Sequence, residues 1–275
     1  MRVSVLGSGS RGNAILVEAG ETRVLVDVGF GVRTLAKRLA AIGCAPESIT
    51  GVVLTHEHVD HAQGALAACA KWRWPLYATA GTLGQLPAAR VPVRTITHGQ
   101  AWSVGDLHGS SSAVPHDAAD CAALVFEHAV TGQRVGIALD LGHVPAGLPT
   151  AFCGLDLLVI EANHDRQQLL AGPYPWPLKQ RILGAFGHLA NSETAELVAE
   201  CAHRGLRAVI LAHLSETNNS PDLAVNAVRS ALLRRGSVAS RTRGQVFAAT
   251  QRMPLGPVAC RGSRSARVGQ LEFSL

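Results

Sequence analysis

The chain has 275 residues, 47% of them hydrophobic and 16% charged, and a net charge of +5. That length buries a substantial core, and with no long polar, Pro-rich or charge-run linker before residue 220 it predicts one large domain over residues 1–250, then a strand and a loosely ordered basic tail over 251–275. No apolar run is long enough for a signal peptide or a membrane span, so the expected setting is the cytoplasm with no membrane partner.

In chain order, β-branched runs bounded by Gly and Asp predict strands at 3–6, 14–18 and 23–26, with a glycine-rich loop between the first two and a helix over 34–42 after the third. A strand at 52–55 leads into a polar loop and an alanine-rich helix ending near Trp72. Further strands at 76–78, 94–97, 107–114, 122–128 and 134–139 make the middle β-rich. Beyond Asp140 the pattern alternates: strand 157–161, helices at 179–184 and 192–203, strand 208–211 and a helix over 222–235. Strand runs with helices outside them predict sheets covered by helices, the mixed α/β class.

The six cysteines (Cys44, Cys69, Cys121, Cys153, Cys201, Cys260) show neither C-x-x-C pairs nor framework spacing, and most read as small core residues. Twelve histidines beside two tyrosines call for metal ligation or a polar core. Nine arginines and no acid lie between Leu223 and Gln270, leaving the rest of the chain at −4. Such a segment suits a polyanion, although 22 Arg against 3 Lys also fits a general compositional preference.

Gly7, Ser8, Gly9, Ser10, Arg11 and Gly12 match G-x-G-x-x-G after a strand, with Asp27 at about the distance of a ribose-binding acid. A dinucleotide site needs a helix next, whose N-terminus meets the pyrophosphate. Here residues 13–26 read as a hairpin, which argues against that site. Two readings remain for the loop: a glycine-rich connection, or an active-site rim where Ser10, Arg11 and Asn13 present donors to an anion.

Thr55, His56, Glu57, His58, Val59, Asp60, His61 follows directly on a strand and packs three imidazoles and a carboxylate into six positions. Imidazole and carboxylate are ligands of Zn²⁺ and its neighbours, and a strand end fixes their geometry. Four groups do not close two sites. His116, Asp140 and His213 each follow an apolar β run, from which they would project into a common cleft.

In this order the residues resemble the metallo-β-lactamase-fold hydrolases. The resemblance implies a four-layer αββα sandwich and two divalent ions, one held by His56, His58 and His116, the other by Asp60, His61 and His213, with Asp140 bridging. Asp27 matches an early Asp that supports the histidine loop from behind the ligands. Two Zn²⁺ bring four positive charges, Asp60 and Asp140 remove two and a bridging hydroxide one, so the site favours an anion such as a phosphodiester. A thioester carbonyl could use the same apparatus. The zinc β-lactamases carry Cys where Asp140 stands, and flavodiiron proteins carry Glu at the place of His58; glyoxalase-type thioesterases are compatible with the ligands.

Finer similarity lies in residues 6–13, in Glu161, Ala162, Asn163, His164, Asp165, in Gly187, His188, Leu189, Ala190, Asn191, and in 212–219, which look like the YycJ/WalJ-type exonuclease branch. It implies a bacterial enzyme that degrades DNA from 5′ to 3′. Ala190 stands where that branch usually has Ser, and Arg11 where it often has Ser. The expected mechanism is in-line attack by the bridging hydroxide, with Asp60 and Asp140 holding the ions and His188 or His164 contacting the phosphate or protonating the leaving oxygen. A buried core role is the other reading for His164. Ser10, Arg11, Asn13, Lys179 and Asn191 are the expected substrate contacts, with Arg181 beside Lys179 either guiding the backbone or on a solvated helix face. Zn²⁺, Mn²⁺ or Fe²⁺ all suit these ligands. A small-molecule phosphodiesterase and a thioester or lactone hydrolase are the alternative functions.

Overall fold

The computed structural model describes residues 1–88, 90–234 and 245–260. It opens with β1 (Arg2–Gly7), β2 (Ala14–Ala19) and β3 (Thr22–Val26), antiparallel neighbours in sequence order. There follow α1 (Val32–Ala41), β4 (Gly51–Val53), the short α2 (Val59–Ala62), α3 (Ala65–Trp72), β5 (Leu76–Thr79), α4 (Ala80–Gln85) and β6 (Val93–Ile96). The second half holds β7 (Trp102–Val104), β8 (Leu107–Ala113), β9 (Ala122–His128), β10 (Arg134–Ala138), α5 (Leu148–Ala151), β11 (Leu157–Glu161), α6 (Arg166–Ala171), α7 (Trp176–Leu183) and α8 (Asn191–Cys201). It closes with β12 (Ala208–Ala212), α9 (Pro221–Arg234), β13 (Gln245–Ala248) and β14 (Leu255–Ala259).

Two seven-stranded sheets result, one ordered β14-β1-β2-β3-β4-β5-β6 and the other β13-β12-β11-β10-β9-β8-β7. Both are mixed: β3 to β6 run parallel through helical crossovers, as do β10 to β13, while the remaining pairs are antiparallel.

The two-residue period of the strands builds four layers. Val3, Val5, Ile15, Val17, Val24 and Val26 point from the first sheet into a core shared with Leu124, Phe126, Leu157, Val159 and Ile210 of the second. The alternate residues Leu6, Leu16 and Leu25 face outward against Leu35 and Leu39 of α1 and Ala65, Ala68 and Cys69 of α3. On the far side, Val125, Leu158, Ile160, Val209 and Leu211 meet α8 and α9 through Leu197, Val198, Ala224 and Val228. This is the mixed α/β class that the sequence pattern predicts and the αββα sandwich that the resemblance implies.

Some elements differ from expectation. Strands β7 and β13 are absent from the sequence reading because Trp102–Val104 is only three residues long and Gln245–Ala248 follows an Arg- and Gly-rich stretch that hides a strand signal. The histidine segment, expected as a loop, contains the helical turn α2. Strand β14 pairs antiparallel with β1, so residues beyond 250 contribute an edge of the first sheet. Arg235, Arg241, Arg243, Arg261, Arg264 and Arg267 of the basic segment, and the expected tail over 261–275, lie outside the described residues. Five of the cysteines are buried and Cys153 is exposed. Among the described residues no helix is long and apolar enough to cross a membrane.

Candidate metal centre

The strand ends of both sheets meet at one edge of the sandwich. Asp27 follows β3, the segment from His56 to His61 follows β4, His116 follows β8, Asp140 follows β10 and His213 follows β12. Among the described residues four non-glycines have left-handed backbone: Asp27 (φ 61°), Arg73 (61°), Asp140 (57°) and His213 (53°). Three of these belong to this edge. Left-handed backbone at a non-glycine costs about 1–3 kcal/mol and collects at functional sites. Asp and His tolerate it better than most residues.

The donor atoms converge. Asp140 Oδ2 lies 2.7 Å from His61 Nε2 and 3.3 Å from His56 Nε2, and Asp140 Oδ1 lies 2.8 Å from His213 Nδ1. His58 Nδ1 stands 3.3 Å from His116 Nε2, and Asp60 Oδ2 stands 3.3 Å from His213 Nε2. Four overlapping sets each gather their donors within 4.8 Å: His56, His58 and His116; His56, His61 and Asp140; Asp60, His61 and His213; and Asp140, Glu161, His188 and His213. Asp140 thus faces both histidine groups. His56 Nε2 is buried without a hydrogen-bond partner, a costly condition in a protein interior. Imidazole nitrogen and carboxylate oxygen are divalent-metal donors, so the residues fit such an ion.

Charge supports that fit. Burial, with the neighbouring His61, holds His56 well below the ordinary imidazole range. His61 and His213 would be lowered by burial too, but Asp140 dominates and carries both well above it. Burial would raise the Asp140 carboxyl, yet His213 and His61 hold it far down. The edge is therefore a concentration of carboxylate charge that stabilises cations.

Buried partners orient the donors. Asp27 Oδ2 accepts from His61 Nδ1 at 2.7 Å, and its Oδ1 accepts from the Thr55 backbone N–H at 2.8 Å, which aims His61 Nε2 at Asp140. His116 Nδ1 donates to the Gly187 carbonyl at 3.1 Å. Ser8 Oγ accepts from the His213 backbone N–H at 2.8 Å and donates to Asn13 Oδ1 at 2.7 Å. The Asn13 backbone N–H donates to the Asp60 carbonyl at 2.7 Å, so the glycine-rich loop braces the histidine segment.

A cleft of about 350 Å³ opens over this edge, lined by Ser10, Asp60, His116, Asp140, His188 and His213 among others. Of the expected substrate contacts, Ser10 lines it, and exposed Arg11 pairs with Glu216 at 2.6 Å. Three need correction. Asn13 is fully buried and braces the loops. Lys179 is buried and donates to the Leu170 and Gly172 carbonyls, tying α7 to the end of α6. Asn191 is buried against Asn219. Their spacing gave no sign of where the side chains turn.

His188 lines the cleft, with Nδ1 2.7 Å from Glu161 Oε1; burial would lower it, but that carboxylate outweighs burial and raises it to about 9. His164 does not line the cleft: it is 1% exposed, neither ring nitrogen has a partner, and burial lowers it to about 4. The expectation that it touches phosphate is corrected to the buried reading. Arg181 lines the cleft and pairs with Asp117 at 2.6 Å.

Glu161 is a further group of this edge for which the sequence predicts no role. It is fully buried, faces His188 and His213 (3.1 Å) through Oε1, and accepts the Leu141 and Leu189 backbone N–H groups through Oε2. A lone acid ending the apolar strand Leu157–Glu161 is the same signal that exposed Asp140.

Comparison with known proteins agrees with this geometry. The family model described as "Beta-lactamase superfamily domain" matches residues 22–214, a span that includes every donor above. The chain is 30% identical over 243 residues to the exodeoxyribonuclease YycJ of Bacillus anthracis, covering 86% of this chain and 90% of that protein. It is 32% identical over 232 residues to the exodeoxyribonuclease WalJ of Streptococcus pneumoniae, covering 81% and 85%. The crystal structure of the metallo-β-lactamase fold protein YhfI from Bacillus subtilis superposes with a TM-score of 0.66 at 18% identity, over 92% of this chain and 98% of that one, a likeness of fold. The chain belongs to the β-lactamase superfamily and is an enzyme of the metallo-β-lactamase fold, with His and Asp residues positioned for divalent metal.

Proposed function

We propose that the protein is a phosphodiester hydrolase dependent on two divalent ions, and that it removes nucleotides from DNA in the 5′ to 3′ direction. The observation that carries the reading is the placement of Asp140 between two histidine donor sets on one cleft floor; the DNA substrate is supported by the two relatives named exodeoxyribonucleases.

His56, His58 and His116 would hold one ion, Asp60, His61 and His213 the other, and Asp140 would face both. When bound, the ions supply Lewis acidity toward the phosphoryl oxygen and an acidified water. The chain's own residues do the rest. His188 is held through Nδ1 by Glu161, which leaves Nε2 available to a phosphate oxygen or to the departing sugar oxygen. The Ser10 and Ser215 side chains line the same cleft and can donate to an anion.

The test incubates Mn²⁺- or Zn²⁺-loaded protein and Asp140→Ala with 5′-phosphorylated single-stranded and duplex DNA, a generic phosphodiester and a thioester. Mononucleotides released in order from the 5′ end by the wild type alone are expected. Thioester cleavage with all DNA left intact would overturn the assignment.

A further inference from the structure

We propose that an apolar wall beside the donor cluster stacks the unpaired terminal bases of the nucleic-acid strand; the inference rests on the nuclease reading above. Leu178, Arg181 and Ile182, at i, i+3 and i+4 on α7, line the cleft together with Tyr174 and Phe186 on either side of the helix. Among the described residues the exposed large hydrophobics include two aromatics, Trp176 at 58% and Phe186 at 60%, and both belong to this stretch. The chain holds only four Trp, two Tyr and six Phe, so three aromatics between positions 174 and 186 are a concentration. Exposed apolar clusters rimming a polar cleft mark ligand surfaces.

The wall is held rigidly against the donors. Lys179 fastens α7 to the carbonyls of Leu170 and Gly172, the His188 backbone N–H donates to the Ile182 carbonyl, and the Gly187 carbonyl accepts from His116. Phe186 therefore sits two residues from His188 and one from the carbonyl that orients His116. A strand whose phosphate lies over the donors carries its bases into the neighbouring space, and an aromatic face is the surface that bases favour. The cleft, about 350 Å³, is at the small end of ligand pockets. It suits one frayed nucleotide end better than a stacked duplex. Stacking accepts every base, so the wall adds affinity without reading sequence.

Steady-state cleavage of a 5′-phosphorylated single strand by metal-loaded protein tests this, alongside the same strand with two abasic residues at its 5′ end. Phe186→Ala, at an exposed position, is expected to raise KM about tenfold on the natural strand, in the range for loss of one stacked base. The abasic strand should show a similarly raised KM with wild type and no further rise with Phe186→Ala, while Phe186→Trp restores the natural value. Equal KM for natural and abasic strands with wild type would overturn the proposal, as would an equal effect of Phe186→Ala on both. Failure of the wild type to cut any DNA would bring down the nuclease reading itself, and this inference with it.

Discussion

At the scale of single residues, the centre depends on buried groups behind the donors. Asp27→Asn keeps a side chain that tolerates left-handed backbone but places an amide where His61 Nδ1 needs an acceptor. Divalent-metal affinity should fall about 10- to 100-fold, read by titration against a chromogenic chelator; unchanged affinity would remove Asp27 from the orienting role. His164 yields a pH prediction. Its folded value near 4 lies below the ordinary imidazole value, so the unfolded chain binds the proton more readily. Stability is then complete above about pH 6.5, declines as pH falls toward 4 and levels off below, a loss of about 3 kcal/mol. Urea unfolding of chelator-treated protein at pH 7 and pH 4.5 checks it: wild type should lose more than His164→Leu, and equal losses would refute the assignment.

At the scale of elements, the site exists because three loops at neighbouring strand ends pack backbone to backbone. Val28 donates to the His61 carbonyl, Gly29 to the Asn13 carbonyl and Gly64 to the Val28 carbonyl. A Cβ at Gly29 would stand 1.8 Å from the Asp60 carbonyl oxygen, and one at Gly64 would stand 2.0 Å from that of Phe30. Gly29→Ala should therefore displace the histidine segment, costing about 1–3 kcal/mol as other overpacked sites do, with weakened metal binding. Paired urea and metal titrations measure both, and native stability with native metal affinity would contradict the packing account. The period-two runs made β1 to β3 and β8 to β12 legible in the sequence, because one residue in two enters a core. Three-residue β7 carries too little pattern, and β13 is a strand because β12 offers it a parallel edge.

At the scale of the whole molecule, the basic end of the chain and the catalytic edge are separable in experiment. Truncation at residue 252 would strip β14 from β1, so a cut after Cys260 is the cleaner probe, since it removes Arg261, Arg264 and Arg267 and keeps β14. If those arginines meet phosphates, the slope of log affinity for single-stranded DNA against log salt should become shallower by about 2, near 0.7 for each lost contact. An unchanged slope would separate the segment from DNA binding. The sequence by itself pointed to the mixed α/β class and to seven candidate donors: His56, His58, Asp60 and His61 because ligand density directly after a strand is a local signal, and His116, Asp140 and His213 because each follows an apolar β run. Only the tertiary structure decided that Asn13, Lys179 and Asn191 turn inward, that Glu161 anchors His188, and that Phe186 stands beside the donors. Side-chain direction is set by which polar groups must be satisfied in the folded chain, and no residue pattern shows that Asn191 meets Asn219 or that His188 meets Glu161.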